Sequence, residues 1–335
     1  MDEGPPPIQG GNFYTMEIAS SAQARKQPRG LAGRARHFVR RVWEARVAYL
    51  FILPMLAFFG VFVVYPFLRT VQLMFMRYEF LRPDRQAFVG LANIIERVQD
   101  PRVPETFWVS LKFFLLYVPL STLFALIVAL VLDRVARAHL ATLYRTIFYL
   151  PVVLPAGIIF IVWIWIYDPT WGVMNTLIQD VLGIPWPWDR WLRGPETSLL
   201  SLVLLSVWRL MGVTMILFLV GLSAISNELR EAARIDGANE WQTIRFVELP
   251  LLKPTFLIIL VLRLQVLGLI EEPLVMTEGG PLRTTMTYGL QAYYISFRDG
   301  NWDMGYGSTW FLMLGFLSTL TAFMAWKLMR QERLT

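Results

Sequence analysis

The 335-residue chain contains no cysteine and only two histidines, His37 and His139. Without cysteine it can form neither a disulfide nor a thiolate metal site. The two histidines lie about a hundred positions apart and do not suggest a metal site either. Charged residues are scarce as well, at 17% of the chain against about 25% in an average soluble domain. A soluble enzyme is therefore a poor description of this composition.

Long apolar runs take the place of the missing charges, and 56% of the residues are hydrophobic. A helix needs about 20 apolar residues to cross a bilayer. Six runs meet this requirement, and the predicted spans are 47–68, 108–132, 146–167, 199–222, 254–272 and 308–326. Lipid offers no partner to exposed backbone amides, and the runs lack the alternation of barrel strands. The predicted fold class is an all-α membrane protein with six transmembrane helices.

Lys and Arg are distributed unevenly around these spans. With the N-terminus in the cytoplasm, the cytoplasmic segments hold 18 basic residues and the outer loops hold nine. Because cytoplasmic loops of membrane proteins are enriched in Lys and Arg, both termini are predicted to be cytoplasmic. The net charge of +6 then reflects contact with membrane lipid, and nucleic acid is not expected as a partner.

The ends of the chain are predicted to be tails. Residues 1–46 begin with DEGPPPIQGGN, which is expected to be disordered, and continue into RARHFVRRVWEAR, which is typical of a basic interfacial helix. The first apolar run is longer than the roughly 7–15 apolar residues of a signal peptide, which favours an uncleaved anchor. The transmembrane domain is placed at 47–330, and a short cytoplasmic tail at 331–335.

A charged segment interrupts this apolar chain between spans four and five. Residues 226–254, the polar insert, read SNELREAARIDGANEWQTIRFVELPLLKP and carry nine charges. Ser226 is a good helix N-cap, and Gly237 is suited to end that helix in a left-handed conformation. Asn239 and Gln242 have the spacing of a capping box that opens a second helix, which Leu249-Pro250 is expected to end. The insert is therefore predicted to be a helix–turn–helix.

The residues alone are compatible with three uses of this insert. It could be an ordinary amphipathic linker, a docking element for a motor protein, or a DNA-reading element. The insert holds five acidic and four basic residues. Binding to phosphates requires a positive surface, so the DNA-reading alternative is the weakest.

The motif EAARIDGANEWQ, followed by LPLLKP, resembles the EAA loop of binding-protein-dependent ABC import permeases of the sugar and glycerol-3-phosphate type, such as the maltose-transporter permease subunits. Other stretches agree in order: AYLFILPMLAFFGVFVVYPFLRT with the first span, FVGLANIIERVQDPR with the first outer loop, RTIFYLPVVLPAGII with the third span, and VMTEGGP with the segment after the fifth. The polar insert is called the EAA loop below. The resemblance implies the type I ABC importer permease fold.

The resemblance also implies a mechanism and a set of partners. The EAA loop would dock into a cytoplasmic ATPase, and the residues implied in this coupling are Glu231, Ala232, Ala233, Asp236, Gly237, Leu249 and Pro250. The chain lacks the phosphate-binding pattern G-x-x-x-x-G-K-[ST], so ATP and Mg²⁺ would be bound by the ATPase and this chain would not be an enzyme. The implied partners are a second permease, two ATPase subunits and an external substrate-binding protein, in the cytoplasmic (inner) membrane of a prokaryote.

Charged and polar residues inside the spans are candidates for the solute path, because charge at such depth is costly and usually faces a protein interior or a wet cavity. These candidates are Arg209, Arg263, Gln265 and Glu271. Arg209 is read mainly as a structural pair and Arg263 mainly as a cavity residue. On a continuous helix, Glu271 would lie about 80° around the axis from Arg263 and could line the same side. The family's acidic segment is blurred here, with Glu271 or Glu272 near its acidic position.

A secondary transporter or channel for a small polar solute is the alternative function. Such folds often contain inverted repeats with broken helices near the middle of the membrane. No inverted repeat is evident in this sequence, and an EAA loop has no role in such proteins. The sugar, oligosaccharide or polyol importer is therefore the preferred prediction, with the identity of the solute open.

Overall fold

The computed structural model of the protein describes residues 46–135, 138–184, 190–300 and 302–332. The predicted tail and interfacial helix within residues 1–45 lie outside this part. By its internal contacts the chain divides into two units, 1–67 and 68–335.

The first apolar run is helical. Helix α1 (Arg46–Phe59) continues through a π-helical turn, Gly60–Val64, into α2 (Tyr65–Met74). Together they supply an apolar stretch, Tyr49–Met74, of 26 residues. At about 1.5 Å per residue this length exceeds the roughly 30 Å of a bilayer core.

The remaining elements are nearly all helical. A two-stranded antiparallel hairpin, β1 (Met76–Arg77) with β2 (Ala87–Phe88), follows α2. The helices after the hairpin are α3 (Ala92–Gln99), α4 (Arg102–Asp133), α5 (Ala138–Val153), α6 (Ala156–Ile166), α7 (Val173–Asn175), α8 (Ser198–Ser223), α9 (Asn227–Ile235), α10 (Glu240–Thr243), α11 (Leu249–Leu251), α12 (Lys253–Arg263), α13 (Glu271–Met276), α14 (Tyr288–Phe297) and α15 (Met304–Glu332). Short π-helical turns follow α7 at Thr176–Val181 and α10 at Ile244–Glu248, and a 3-10 turn follows α12 at Leu264–Gly268.

Four helices of the described chain are long and apolar enough to cross a membrane, and two bent helix pairs raise the number to six if each pair is one span. The four lie in Tyr49–Met74, Arg102–Asp133, Ser198–Ser223 and Met304–Met324. They correspond to predicted spans one, two, four and six. Each is a few residues longer than its predicted run, because helices continue past the apolar stretch into the polar boundary.

Predicted span three differs from a single helix. His139–Val153 and Ala156–Ile166 meet at an angle of 97°. Pro155 stands at the break, with extended backbone at φ −57° and ψ 126°. Proline lacks the amide hydrogen that a helix interior needs and disfavours helical geometry in the residue before it. The run counted as one apolar stretch is therefore two helices.

Predicted span five also differs. Its regular helix, α12, ends at Arg263, gives way to the 3-10 turn, and stops at Gly268 before α13 begins at Glu271. The angle of about 80° expected between Arg263 and Glu271 assumed one continuous helix. The break at Leu269 and Ile270 removes that assumption, so the two side chains are not related by helical periodicity.

The helices α4 and α8 form the centre of the second unit. Small and apolar residues of α4, such as Ala125 and Ala129, are fully buried against residues of α8 such as Met215 and Phe218. Gly212 of α8 allows an even closer approach to α5, since a Cβ at this position would lie 2.5 Å from the carbonyl oxygen of Phe148. Small residues at helix contacts are the usual way in which membrane helices pack tightly.

Candidate functional site

The first helix of the EAA loop has the predicted start and stop. Helix α9 follows Ser226, which has extended backbone but whose side chain accepts no capping hydrogen bond. The helix ends at Ile235, and Gly237, two residues later, takes the left-handed conformation with φ +85°. The amide of Ala238 donates to the carbonyl of Ala233 at 2.9 Å, and that of Gly237 donates to Arg234 at 3.0 Å. These two bonds form a Schellman motif, which closes the end of the helix.

The second helix begins with the predicted capping box. The amide of Gln242 donates to Oδ1 of Asn239 at 2.9 Å, and the amide of Asn239 donates to Oε1 of Gln242 at 2.8 Å. The predicted stop at Leu249-Pro250 is wrong, because helical geometry runs through the π turn to Leu251. Pro250 lies in the first turn of α11, where its missing amide hydrogen is tolerated. The chain bends by 60° between Leu251 and Lys253, where the fifth apolar run starts.

One surface of the loop is exposed and partly apolar. Ile235 is 86% exposed, Trp241 65% and Phe246 67%. We call these side chains, together with the exposed coupling residues Glu231, Ala232, Asp236, Gly237 and Pro250, the exposed surface of the EAA loop; Ala233 is half-buried. Leu249, the remaining predicted coupling residue, is half-buried. Large apolar side chains on a polar helix–turn–helix are typical of a protein-binding surface.

Six charged side chains pair with one another where the loop meets the end of α4 and form what we call the loop network: Asp133, Arg134, Arg230, Arg234, Glu240 and Glu248. They come from the end of α4, from α9 and from the second helix of the loop. They line a cavity of about 390 Å³ together with Thr243. Three acidic and three basic groups balance in charge, so no ion in the buried part of the network is left unpaired.

Glu248 is the centre of the loop network, with its side chain 1% exposed. Nη2 of Arg134 donates to both of its carboxylate oxygens, at 3.0 and 3.2 Å. Nε of Arg230 lies 3.2 Å from the same carboxylate, and Nη1 of Arg230 lies 3.0 Å from Asp133. One buried carboxylate thereby joins the end of α4 to both helices of the EAA loop.

The outer part of the loop network is exposed. Nε of Arg134 lies 3.2 Å from Glu240, and Nη2 of Arg234 lies 2.9 Å from the other oxygen of Glu240. Hydrogen bonds from Arg134 and then Arg234 lower the pKa of Glu240 below its ordinary value. Burial opposes the charge of Arg134, yet its bonds to Glu248 and Glu240 prevail and raise its pKa.

A second group of charges lies within the apolar helices: Arg209, Arg263 and Glu272, the membrane cluster. Arg209 of α8 forms an ion pair with Glu272 of α13. The side chain of Glu272 is 1% exposed and that of Arg209 is 16% exposed. The second carboxylate oxygen of Glu272 and Nε of Arg209 have no hydrogen-bond partner among the described residues.

Arg263 makes a different set of contacts. Its Nη2 donates to the carbonyl of Leu210, at 3.1 Å, and to the hydroxyl of Thr214. Its guanidinium carbon lies 5.4 Å from the ring centre of Tyr117. It is 7% exposed and forms no ion pair with a carboxylate in the part of the chain that the structure describes. Among the described residues, the direct partners of this buried charge are therefore neutral groups.

The two other predicted solute-path residues, Gln265 and Glu271, are exposed. The acidic partner of Arg209 is Glu272, which sequence analysis considered only as an alternative to Glu271 for the family's acidic position. None of the six residues of the loop network was predicted from the sequence as a site residue. The available signals were weak: Glu248 is an acid between Val247 and Leu249, and Arg230 and Arg234 lie one helical turn apart.

The VMTEGGP segment forms a tight loop at the end of α13. Glu278 and Gly279 have φ values of 50° and 82°, and the hydroxyls of Thr277 and Thr285 lie 2.6 Å apart across the loop. This loop and the end of α6 enclose a cavity of about 580 Å³, which Asp168, Arg193 and Thr277 line among others. The cavity lies at the ends of α6 and α13, whereas the loop network lies at the ends of α4 and α8.

Comparison with known proteins places this geometry in a family. The model of the family "binding-protein-dependent transport system inner membrane component" matches residues 121–330. A probable ABC transporter permease protein of Pyrococcus horikoshii is 32% identical over 300 residues, which cover 88% of this chain and all of that protein. The trehalose/maltose transport system permease protein of Thermococcus litoralis is 31% identical over 251 residues, covering 75% of this chain and 83% of the relative.

A solved structure has the same fold. It is the crystal structure of a bacterial ABC transporter involved in the import of the acidic polysaccharide alginate, matched with a TM-score of 0.73 at 19% identity. The match covers 88% of this chain and 99% of the chain in that structure. Since the family model covers well over half of the sequence and relatives above 30% identity cover most of it, the chain belongs to the binding-protein-dependent transport system inner membrane components, the membrane-spanning permease subunits of ABC importers.

Proposed function

We propose that this chain is one of two permease subunits of an ATP-driven importer for a sugar, oligosaccharide or polyol, and that it forms half of the translocation path. The substrate class is supported by relatives such as the trehalose/maltose permease of Thermococcus litoralis. The stretches that resemble this family occur in the family's order, from the first apolar run to the VMTEGGP segment after the fifth.

The complete machine would contain a second permease, two ATPase subunits and an external substrate-binding protein. ATP and Mg²⁺ would bind to the ATPase subunits, and this chain would carry no catalytic residue. It would lie in the cytoplasmic membrane of a prokaryote with both termini in the cytoplasm, an orientation favoured by the excess of basic residues on that side.

The observation that carries the proposal is the exposed surface of the EAA loop. Ile235 and Trp241 expose apolar side chains on this surface, and the exposed acid Glu231 adds a negative charge. The Schellman motif at Gly237 and the capping box hold the two helices at a defined angle. A rigid surface with apolar and charged residues can bind a protein partner and transmit its movement to the permease. We propose that this partner is the ATPase.

The membrane cluster would lie beside the path of the solute. The ion pair between Arg209 and Glu272 supports a structural role for Arg209. Arg263 retains a charge without an acidic partner in the described chain, which supports its contact with a polar solute or with the second permease. Gln265 and Glu271 are exposed on this chain and could face the same partners.

Two substitutions on the exposed surface test the coupling. Glu231→Lys reverses the charge of an exposed residue. Gly237→Val places a β-branched residue at φ +85°, where no atom lies within 4 Å of the added Cβ, so the strain of about 1–2 kcal/mol or more is in the backbone alone. Both variants should insert in the membrane normally. Less ATPase should co-purify with them, or the stimulation of ATP hydrolysis by the binding protein should fall.

The matched control is Glu196→Lys, the same change of charge at an exposed position near the other end of α8. It should leave the recovery of the ATPase unchanged. If Glu231→Lys and Gly237→Val both recover the ATPase and support stimulated hydrolysis at the wild-type rate, the EAA loop is only a linker and the proposed function fails.

A further inference from the structure

We infer that Glu248, held by Arg134 and Arg230, is a positioning residue that ties the EAA loop to α4, so that α4 moves together with the loop. This inference rests on the proposed coupling function and adds the route by which movement leaves the loop. No residue of this tie belongs to the exposed surface that would meet the ATPase.

The tie joins parts of the chain that are distant in sequence. Arg134 and Glu248 are 114 residues apart, and their side chains meet through two hydrogen bonds. Arg134 also donates to the carbonyl of Leu130 inside α4, which fixes its guanidinium to the end of that helix. Arg230 donates to the carbonyl of Leu222 near the end of α8. The guanidinium groups on both sides of Glu248 are thereby anchored to a long apolar helix.

The backbone connects the loop to α8 and α12, whereas the side chain of Glu248 contacts Arg134 at the end of α4 directly. The loop joins α8 through the residues Ala224 and Ile225, and it joins α12 across the 60° bend at Leu252. A movement of the loop can reach α4 through the packed contact of α8 with α4, through Glu248, and through the ion pairs of Arg230 with Asp133 and of Arg134 with Glu240. Glu248 is the most deeply buried of these charged groups, with its side chain 1% exposed.

Because Glu248 is buried, its ion pairs are expected to contribute more to the tie than the exposed ion pairs of Glu240. Glu248 and the rim acid Glu240 each contact two arginines, but their side chains are 1% and 58% exposed. Charge pairs in contact with water contribute little, whereas removal of one partner from a buried pair leaves the others uncompensated. Without Glu248, the positive charges of Arg134 and Arg230 would repel each other across the same small space.

Glu248→Gln is the first test, because it retains the shape of the side chain and removes its charge. In the complete complex reconstituted in liposomes, the ATPase should be recovered in normal amount, since the exposed surface is unchanged. The stimulation of ATP hydrolysis by the external binding protein should fall about tenfold, within the 5- to 150-fold range of typical couplings between sites. Arg145→Gln, an equal loss of one charge at an exposed residue of α5 outside the EAA loop and the loop network, is the matched control and should remain within about twofold of wild type.

A cross-link separates positioning from folding. The chain has no cysteine, so Arg134→Cys with Glu248→Cys introduces its only two thiols. The uncross-linked double variant should lose stimulation as Glu248→Gln does. Joining the two thiols with a short bismaleimide should restore at least half of the wild-type stimulation, because it replaces the tie without restoring any charge.

Two results would overturn the inference: wild-type stimulation in Glu248→Gln, or a cross-linked Cys pair that remains as inactive as the uncross-linked one. If Glu248→Gln assembles poorly, the cross-linked pair alone decides. The proposed function is judged separately by Glu231→Lys. A strong effect of Glu231→Lys with none from Glu248→Gln would retain the coupling function and reject the tie to α4.

Discussion

The two groups of buried charges in this chain satisfy the same physical demand in different ways. The loop network contains three acids and three bases and grades from the buried Glu248 to the exposed Glu240. The membrane cluster contains two bases and one acid and lies among apolar helices. Near water, the charged groups at the rim of a network are stabilised by solvation. Among apolar helices every charge depends on a few defined partners, so the loss of one partner should cost more.

The largest effect is therefore expected in the membrane cluster, from Glu272→Ala. This change leaves Arg209 buried without its acid, and the loss of one partner of a buried ion pair typically costs about 3–5 kcal/mol. The measurement is the free energy of unfolding in mixed detergent micelles. The double variant Arg209→Met with Glu272→Met should recover most of the loss, since neither charge is then left alone. Equal stability of wild type and Glu272→Ala would show that the pair is not the main stabilising contact of Arg209.

Sequence reasoning predicted the parts of this molecule whose signals are local. Gly237 ends its helix because glycine takes a positive φ readily, and Asn239 and Gln242 cap the next helix because both partners lie within three residues. The apolar runs likewise revealed the long helices. Each of these inferences needed information from only one stretch of the chain.

The missed features depend on direction and on distant contacts. A count of apolar residues cannot show that the chain turns by 97° at Pro155, although the proline itself was visible. The partner of Glu248 comes from a residue 114 positions earlier, and that of Arg209 from one 63 positions later. The packing of the helices determines both pairings, so a single sequence with no structure did not reveal them.

A smaller effect is expected from Arg263→Met, which sharpens the contrast within the membrane cluster. The change removes a buried charge whose partners in the described chain are a carbonyl, a hydroxyl and an aromatic ring. The lost bond to Thr214 opposes the relief of desolvation, so the free energy of unfolding should change by only about 1 kcal/mol in either direction. The same micelle titration measures it beside Glu272→Ala. A loss of 3 kcal/mol or more would show that an acidic group of this chain stabilises Arg263, and the contrast with Arg209 would then be wrong.

The smallest effect concerns the exposed rim of the loop network and the protonation of Glu240. Bonds from Arg134 and Arg234 lower the pKa of Glu240 below its ordinary value of 4.5, so the folded loop favours the charged form. The stability that these bonds contribute is fully present above pH 4.5 and is lost as the pH falls through the lowered pKa. Because the side chain is 58% exposed, the loss should be about 0.5 kcal/mol or less.

Amide hydrogen exchange of α9 and α10, compared between pH 6 and pH 3.5 after correction for intrinsic rates, measures this loss of stability. In Glu240→Gln this part of the pH dependence should disappear. An unchanged pH dependence in that variant would assign the effect to a buried acid of the network, and the contrast between its rim and its centre would be wrong.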